Sequence, residues 1–294
     1  MARLSLSVVV TLLSTWAFAA PVELDKRAVS ADLLAKFNLF EQYAAAAYCG
    51  TNNDSPGTEV SCSSGNCPLV DTASTNTTLE FEDTTVTDTT GFVAVDKTNS
   101  LIVVSFRGSR SIQNWIANFD FATTATTICS GCPGHSGFWA SWLEAKKLVV
   151  PAVQAARTAN PSYQIVVTGH SLGGAVADFA AADLRNSGYS VALYTFGAPR
   201  IGPAAISDYI TNQAGGNYRV THLNDPVPRL PTLNMGYVHI SPEYYISSAN
   251  NVAVTANDIT VYTGNSNLSG NAQWGLNVDV NAHLWYFNDI SACE

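Results

Sequence analysis

Charge is scarce in this chain of 294 residues: Asp, Glu, Lys and Arg together make up 13% of it, with 14 basic side chains against 23 acidic. So few Lys and Arg, at a net charge of -9, exclude a nucleic-acid ligand, whose phosphates need basic groups to neutralise them. A chain that is 47% hydrophobic and lacks low-complexity blocks is not disordered. Internal repeats and long linkers are also missing. Six Cys are too few for a disulfide-dominated scaffold but suit a few staples. Beyond the N-terminus no segment approaches the roughly 20 apolar residues of a spanning helix.

What is present begins with processing signals. Arg3 precedes the apolar run Leu4 to Leu13 and the small-residue stretch Ala17-Phe-Ala-Ala20. That order of basic, apolar and small residues predicts a secretory signal peptide over 1–19, hence a secreted, extracellular protein. Lys26-Arg27 reads as a dibasic site closing a propeptide over 20–27, leaving one mature domain over 28–294. Removal of residues 1–27 leaves 11 basic and 21 acidic side chains, a charge of -10. All six Cys fall in the mature part, and an oxidising compartment favours disulfides over a zinc site at Cys129-x-x-Cys132. Six Cys allow fifteen pairings. The close pairs Cys62/Cys67 and Cys129/Cys132 suggest local staples, which leaves Cys49 for Cys293. Asn53, Asn76 and Asn267 each open a glycosylation sequon.

The mature chain alternates strand and helix patterns. A helix follows Ser30, residues 49–90 read as polar loops with short edge strands, and 91–95 with 101–106 read as a hairpin. A helix over 138–159 is followed by strand 164–168, helix 172–186, strand 191–196, helix 204–213 and strand 218–222. Nearly continuous apolar strands separated by helices predict a single α/β domain, its mostly parallel sheet covered on both faces.

The chemistry-bearing segment is Gly169-His-Ser171-Leu-Gly173, a G-x-S-x-G pattern between an apolar strand and an Ala-rich helix. The pattern alone is weak, but in this context it puts Ser171 on a sharp turn with its hydroxyl presented, and side chains at Gly169 or Gly173 would collide with neighbours. A serine nucleophile needs a base and an orienting carboxylate, here in the chain order Ser, acid, His. Asp225, just past a strand end, is the candidate acid; its plain alternative is a turn residue before Pro226. His283 is the candidate base and His239 the alternative, while His222 reads as a buried strand residue and His170 as pointing elsewhere along the turn. Ile112, Trp115, Ile116 and Phe119 recur at helical spacing and form one apolar face. Packing into the core is the plain reading of that face, and a hinged lid beside Ser171 the functional one.

Taken together, Gly169-His-Ser-Leu-Gly-Gly174, Phe106-Arg-Gly-Ser-Arg-Ser-Ile112, Phe196-Gly-Ala-Pro-Arg200, Asn224-Asp225, Pro228-Arg-Leu-Pro231, Ser241-Pro-Glu-Tyr244 and Ala282-His-Leu-Trp-Tyr-Phe287 resemble the secreted fungal class 3 triacylglycerol lipases over nearly all of 29–293. The resemblance implies an α/β-hydrolase-type fold with Ser171 as nucleophile, Asp225 as acid and His283 as base. It also implies an oxyanion hole from Ser109 and the Leu172 N–H, a lid over roughly 110–120, and the pairs Cys49–Cys293, Cys62–Cys67 and Cys129–Cys132. The expected activity is hydrolysis of triacylglycerol esters at an oil–water interface by an acyl-enzyme route, with no metal or organic cofactor. A feruloyl or carbohydrate esterase on the same scaffold, or a silent lipid-binding protein, are the alternatives. Trp115 and Ile116 argue against the first, and the intact Ser171, Asp225, His283 set against the second.

Overall fold

The computed structural model describes residues 28–82, 86–117 and 120–294. The expected signal peptide and propeptide, and Phe119, lie outside them. Ser30 caps α1 (Ala31–Ala46), its side chain accepting the Leu33 N–H at 3.1 Å. The short helix α2 (Pro68–Asp71) leads into β1 (Thr75–Phe81), followed by β2 (Gly91–Asp96) and β3 (Leu101–Phe106). A six-residue helix α3 (Ile112–Ala117) and a small ribbon of β4 (Thr123–Ala125) with β5 (Pro133–His135) precede the long helix α4 (Ser136–Ala159). Then come β6 (Gln164–His170), α5 (Leu172–Asn186), β7 (Val191–Phe196), α6 (Ala204–Asn212) and β8 (Asn217–His222). Strands β9 (Glu243–Ile246) and β10 (Ile259–Tyr262) complete the sheet, and α7 (Val280–Leu284) lies near the C-terminus.

The eight strands run in the order β1-β2-β3-β6-β7-β8-β9-β10. The stretch from β3 to β9 is parallel, and antiparallel pairs flank it at β1–β2–β3 and β9–β10. Strands β2, β3 and β7 are buried at every position, as continuous apolar runs covered on both faces must be. Helices α4 and α5 cover one face and α1 the other. Two apolar cores result. Trp142, Phe138 and Phe179 fill the first; Phe37, Tyr194 and Phe196 fill the second. Disulfides join Cys49–Cys293, Cys62–Cys67 and Cys129–Cys132. Among the described residues no helix is long and apolar enough to cross a membrane.

Within residues 49–90 the expected edge strand is longer than the polar composition predicts. β1 runs for seven residues there, because Thr75 and Thr77 turn their hydroxyls inward to protein partners. The three sequons also part company. Asn76 is exposed on β1, whereas Asn53 is 2% exposed with both amide atoms closed in. Asn267 is half-buried and its Oδ1 accepts the Ser269 N–H. In the exported chain a branched polar glycan fits only where the amide reaches solvent. Deglycosylation in heavy-oxygen water with peptide mass mapping is expected to mark Asn76 and leave Asn53 unmarked; a mark on Asn53 would contradict this packing.

Candidate active site

Parallel register brings several loops to one edge of the sheet. Phe106 pairs with Gly169, His170 with Phe196, and Phe196 with Val220, so the chain leaves β3, β6, β7 and β8 on the same side. Open α/β sheets bind ligands at this carboxyl edge. Ser171 sits where β6 becomes α5, with φ 55° and ψ -129°, a conformation costing about 1–3 kcal/mol for a non-glycine residue. Its N–H donates to the Phe196 carbonyl at 2.9 Å, which anchors the turn to β7. The flanking glycines are a steric requirement: a Cβ on Gly169 would lie 2.5 Å from the Gly173 carbonyl, and one on Gly173 would lie 2.2 Å from the Phe106 carbonyl oxygen.

Asp225 lies beyond β8, fully buried. Its carboxylate meets His283 Nδ1 at 2.9 and 3.0 Å, the Tyr286 hydroxyl at 2.6 Å and the Val227 N–H at 2.8 Å. The loop is held by its own backbone, with Asn271 Nδ2 2.9 Å and Arg229 Nε 3.2 Å from the Asp225 carbonyl oxygen. Tyr286 is a contributor that sequence reasoning missed, although it stands three residues after His283 in a quoted motif. Burial, reinforced by the Asp225 charge, pushes its hydroxyl well above its ordinary pKa, so it stays a donor. On the far side of the imidazole, His283 Nε2 is buried with no partner among the described residues, and so is Ser171 Oγ. Buried polar atoms are nearly always paired, so two orphans on the groups expected to act together mark where a reacting molecule would enter.

The other histidines take different places. His239 Nε2 contacts the Pro228 carbonyl at 2.5 Å, and Arg200 and Arg219 reinforce burial in holding it well below its ordinary pKa. His222 lies between the Ala282 and Ser248 carbonyls. His170 does not merely point away: its ring lies 4.4 Å from that of His283.

Ser109 is half-buried in the loop after β3. Arg107 fastens that loop through Glu82 and Asp88, at 3.3 and 3.5 Å, and Arg110 also pairs with Glu82. Leu172 opens α5, where a helix's first N–H groups have no intrahelical acceptor. Beside Leu172 lies a cleft of about 240 Å³ lined by Trp115, His135, Phe138 and Ser141. Helix α3 edges it. Ile112 is buried, Trp115 and Ile116 are half-buried, and the Trp115 ring stacks on Phe138 with centroids 6.3 Å apart.

The geometry offers a hydroxyl on a strained turn, an imidazole braced by a buried carboxylate, and an apolar cleft alongside. Comparison with known proteins addresses the family. A model of the family Lipase (class 3) matches residues 103–235, and one of the Lipase 3 N-terminal region matches residues 6–79. The chain is 45% identical to the secreted mono- and diacylglycerol lipase A of Penicillium cyclopium, over 99% of this chain and 96% of that one. It is 41% identical to the secreted mono- and diacylglycerol lipase 1 of Fusarium solani, over 97% of this chain and 89% of that one. The crystal structure of a mutant form of MDLA from Penicillium cyclopium matches with a TM-score of 0.87 at 46% identity, covering 90% of this chain and 100% of that one. The sheet, its helices and its full-length relatives thus place this chain in the class 3 lipase family, as a secreted lipase of α/β-hydrolase fold.

Proposed function

We propose that this lipase cleaves acylglycerol esters at an oil–water interface through an acyl-enzyme on Ser171. The observation that carries the reading is the buried Asp225–His283 pair. His170, the residue before Ser171, bonds the His283 main chain, while His283 Nε2 and Ser171 Oγ are both buried without a partner among the described residues. Ser171 Oγ attacks the ester carbonyl as His283 Nε2 takes its proton, while Asp225 orients the ring and stabilises its charged form. Ser109 and the Leu172 N–H receive the developing oxyanion, a donor of this kind being worth about 3 kcal/mol. The ester C–O bond then breaks, the departing alcohol takes the proton from His283, and water reverses the sequence to free the acid.

Helix α3 is the lid of this reading. Swinging it away bares the apolar side chains of Ile112, Trp115 and Ile116, at about 25 cal/mol for each Å², and a lipid surface removes that cost. Initial rates on tributyrin are therefore expected to jump as its concentration crosses the solubility limit. Smooth saturation below that limit, or preference for methyl ferulate, would keep the catalytic set and discard the interfacial step.

The preferred glyceride is the finer question. The sequence resemblance implies triacylglycerols, but the two relatives described above, at 41–45% identity, are named for mono- and diacylglycerols, and we favour partial glycerides on that ground. Diolein emulsions are expected to be hydrolysed at least about tenfold faster than triolein; the reverse ratio would restore the triacylglycerol reading.

A further inference from the structure

His170, between Gly169 and Ser171, is 1% exposed. Its Nε2 lies 2.9 Å from the His283 carbonyl oxygen, and its Nδ1 lies 2.7 Å from the Tyr48 hydroxyl. A peptide carbonyl only accepts, so Nε2 carries the hydrogen and, in a neutral ring, Nδ1 is the acceptor. Burial, with the nearby His283 adding to it, holds His170 well below its ordinary pKa and so neutral. Tyr48 must then donate to Nδ1, with its oxygen packed against the backbone of Gly108. Both hydrogens in the chain Tyr48, His170, His283 have one direction. The fit is tight, since a Cβ on Gly108 would lie 2.2 Å from the Tyr48 hydroxyl and 2.9 Å from Ser171 Cβ.

We propose that Tyr48 and His170 are positioning residues for ester cleavage, forming a buried tie between the loop that carries Ser109 and the main chain of His283. The proposal rests on the roles given above to Ser171, His283 and Ser109. Ser109 follows Gly108 directly, so slack in the tie moves the oxyanion donor. The other end grips the backbone of the base itself. Oxyanion donor and base are thereby held at one spacing across Ser171, and neither Tyr48 nor His170 needs to touch the ester. Misplacing a reacting group by about 1 Å can cost about 10²-fold in rate, which sets the size of the expected effect.

The test uses the mature secreted enzyme on p-nitrophenyl butyrate with four variants. Tyr48→Phe removes one hydroxyl and keeps the ring; His170→Phe removes both ring nitrogens; His170→Gln retains an acceptor and a donor. Tyr48→Phe and His170→Phe are each expected to lower kcat about 10- to 100-fold with KM within about twofold. The double variant should fall no further than the worse single one, because both cut the same tie. His170→Gln should recover at least about a third of wild-type kcat. In the wild type, nitrogen NMR should show His170 as the neutral Nε2–H tautomer. Wild-type kcat in Tyr48→Phe, beside an inactive Ser171→Ala control, would overturn the proposal even if His170→Phe failed to fold. An active Ser171→Ala would instead bring down the nucleophile assignment on which the proposal stands.

Discussion

Replacing Ser171 with Ala is expected to lower kcat by about 10⁴-fold or more, since removing the nucleophile of a comparable triad costs about 10⁶-fold. Stability should hardly change. The Oγ has no hydrogen-bond partner among the described residues, so its loss orphans none of them, and Ala faces the same backbone strain at φ 55° that Ser already bears. Adsorption to oil droplets should also survive, because the proposed lid would adsorb through the apolar face of α3 and not through the hydroxyl. Turnover of p-nitrophenyl butyrate, thermal melting and droplet pull-down on one preparation separate the three. Near-full turnover would remove Ser171 from the mechanism.

Replacing Asp225 with Asn is expected to lower kcat by about 10⁴-fold, for a different reason. Three donors converge on the carboxylate: His283 Nδ1, the Tyr286 hydroxyl and the Val227 N–H. An amide offers one oxygen in place of two and turns an N–H₂ toward one of them. If that group faces the imidazole, Nδ1 becomes the acceptor and the hydrogen moves to Nε2, where it can no longer take the proton of Ser171. If it faces Tyr286 or Val227, a buried donor is left unpaired at about 1–3 kcal/mol. Asp225→Asn should therefore melt lower than the wild type, unlike Ser171→Ala, and Tyr286→Phe should show a much smaller loss of kcat. A rate within tenfold of wild type in Asp225→Asn would contradict the orienting role.

These contrasts also show which parts of the molecule can be read from a sequence. Strand β7 and helix α5 have the expected bounds, 191–196 and 172–186, because an unbroken apolar run and an Ala-rich helix carry their own local signal. The G-x-S-x-G turn is legible for the same reason: its glycines answer to contacts within five residues and to the adjoining strand. Asp225 and His283 are 58 residues apart in sequence, yet chain order and strand-end position suffice to nominate them. The edge strand β1 is legible only as a short strand somewhere within 49–90 and not by its bounds, since its inward Thr hydroxyls look like loop polarity until their partners are seen. Tyr48 and Tyr286 fail similarly. Their partners stand 122 and 61 residues away, and no periodicity encodes a phenol that is needed only for where its oxygen ends up.

The Cys49–Cys293 bond spans 244 residues, so residues 49–293 form a covalently closed ring. A single protease cut in an exposed loop, such as the one around Val252, would open the ring and release no fragment. The nicked product would be two peptides held by the one disulfide, with the strands on either side of the cut still joined covalently. His283, ten residues before the closing cysteine, would remain tethered to the first helix of the fold however the far loops were trimmed. A clipped molecule should run as one band until reductant is added and as two afterwards. For an enzyme working among proteases outside the cell, the bond thus makes survival of the active site independent of an unbroken main chain.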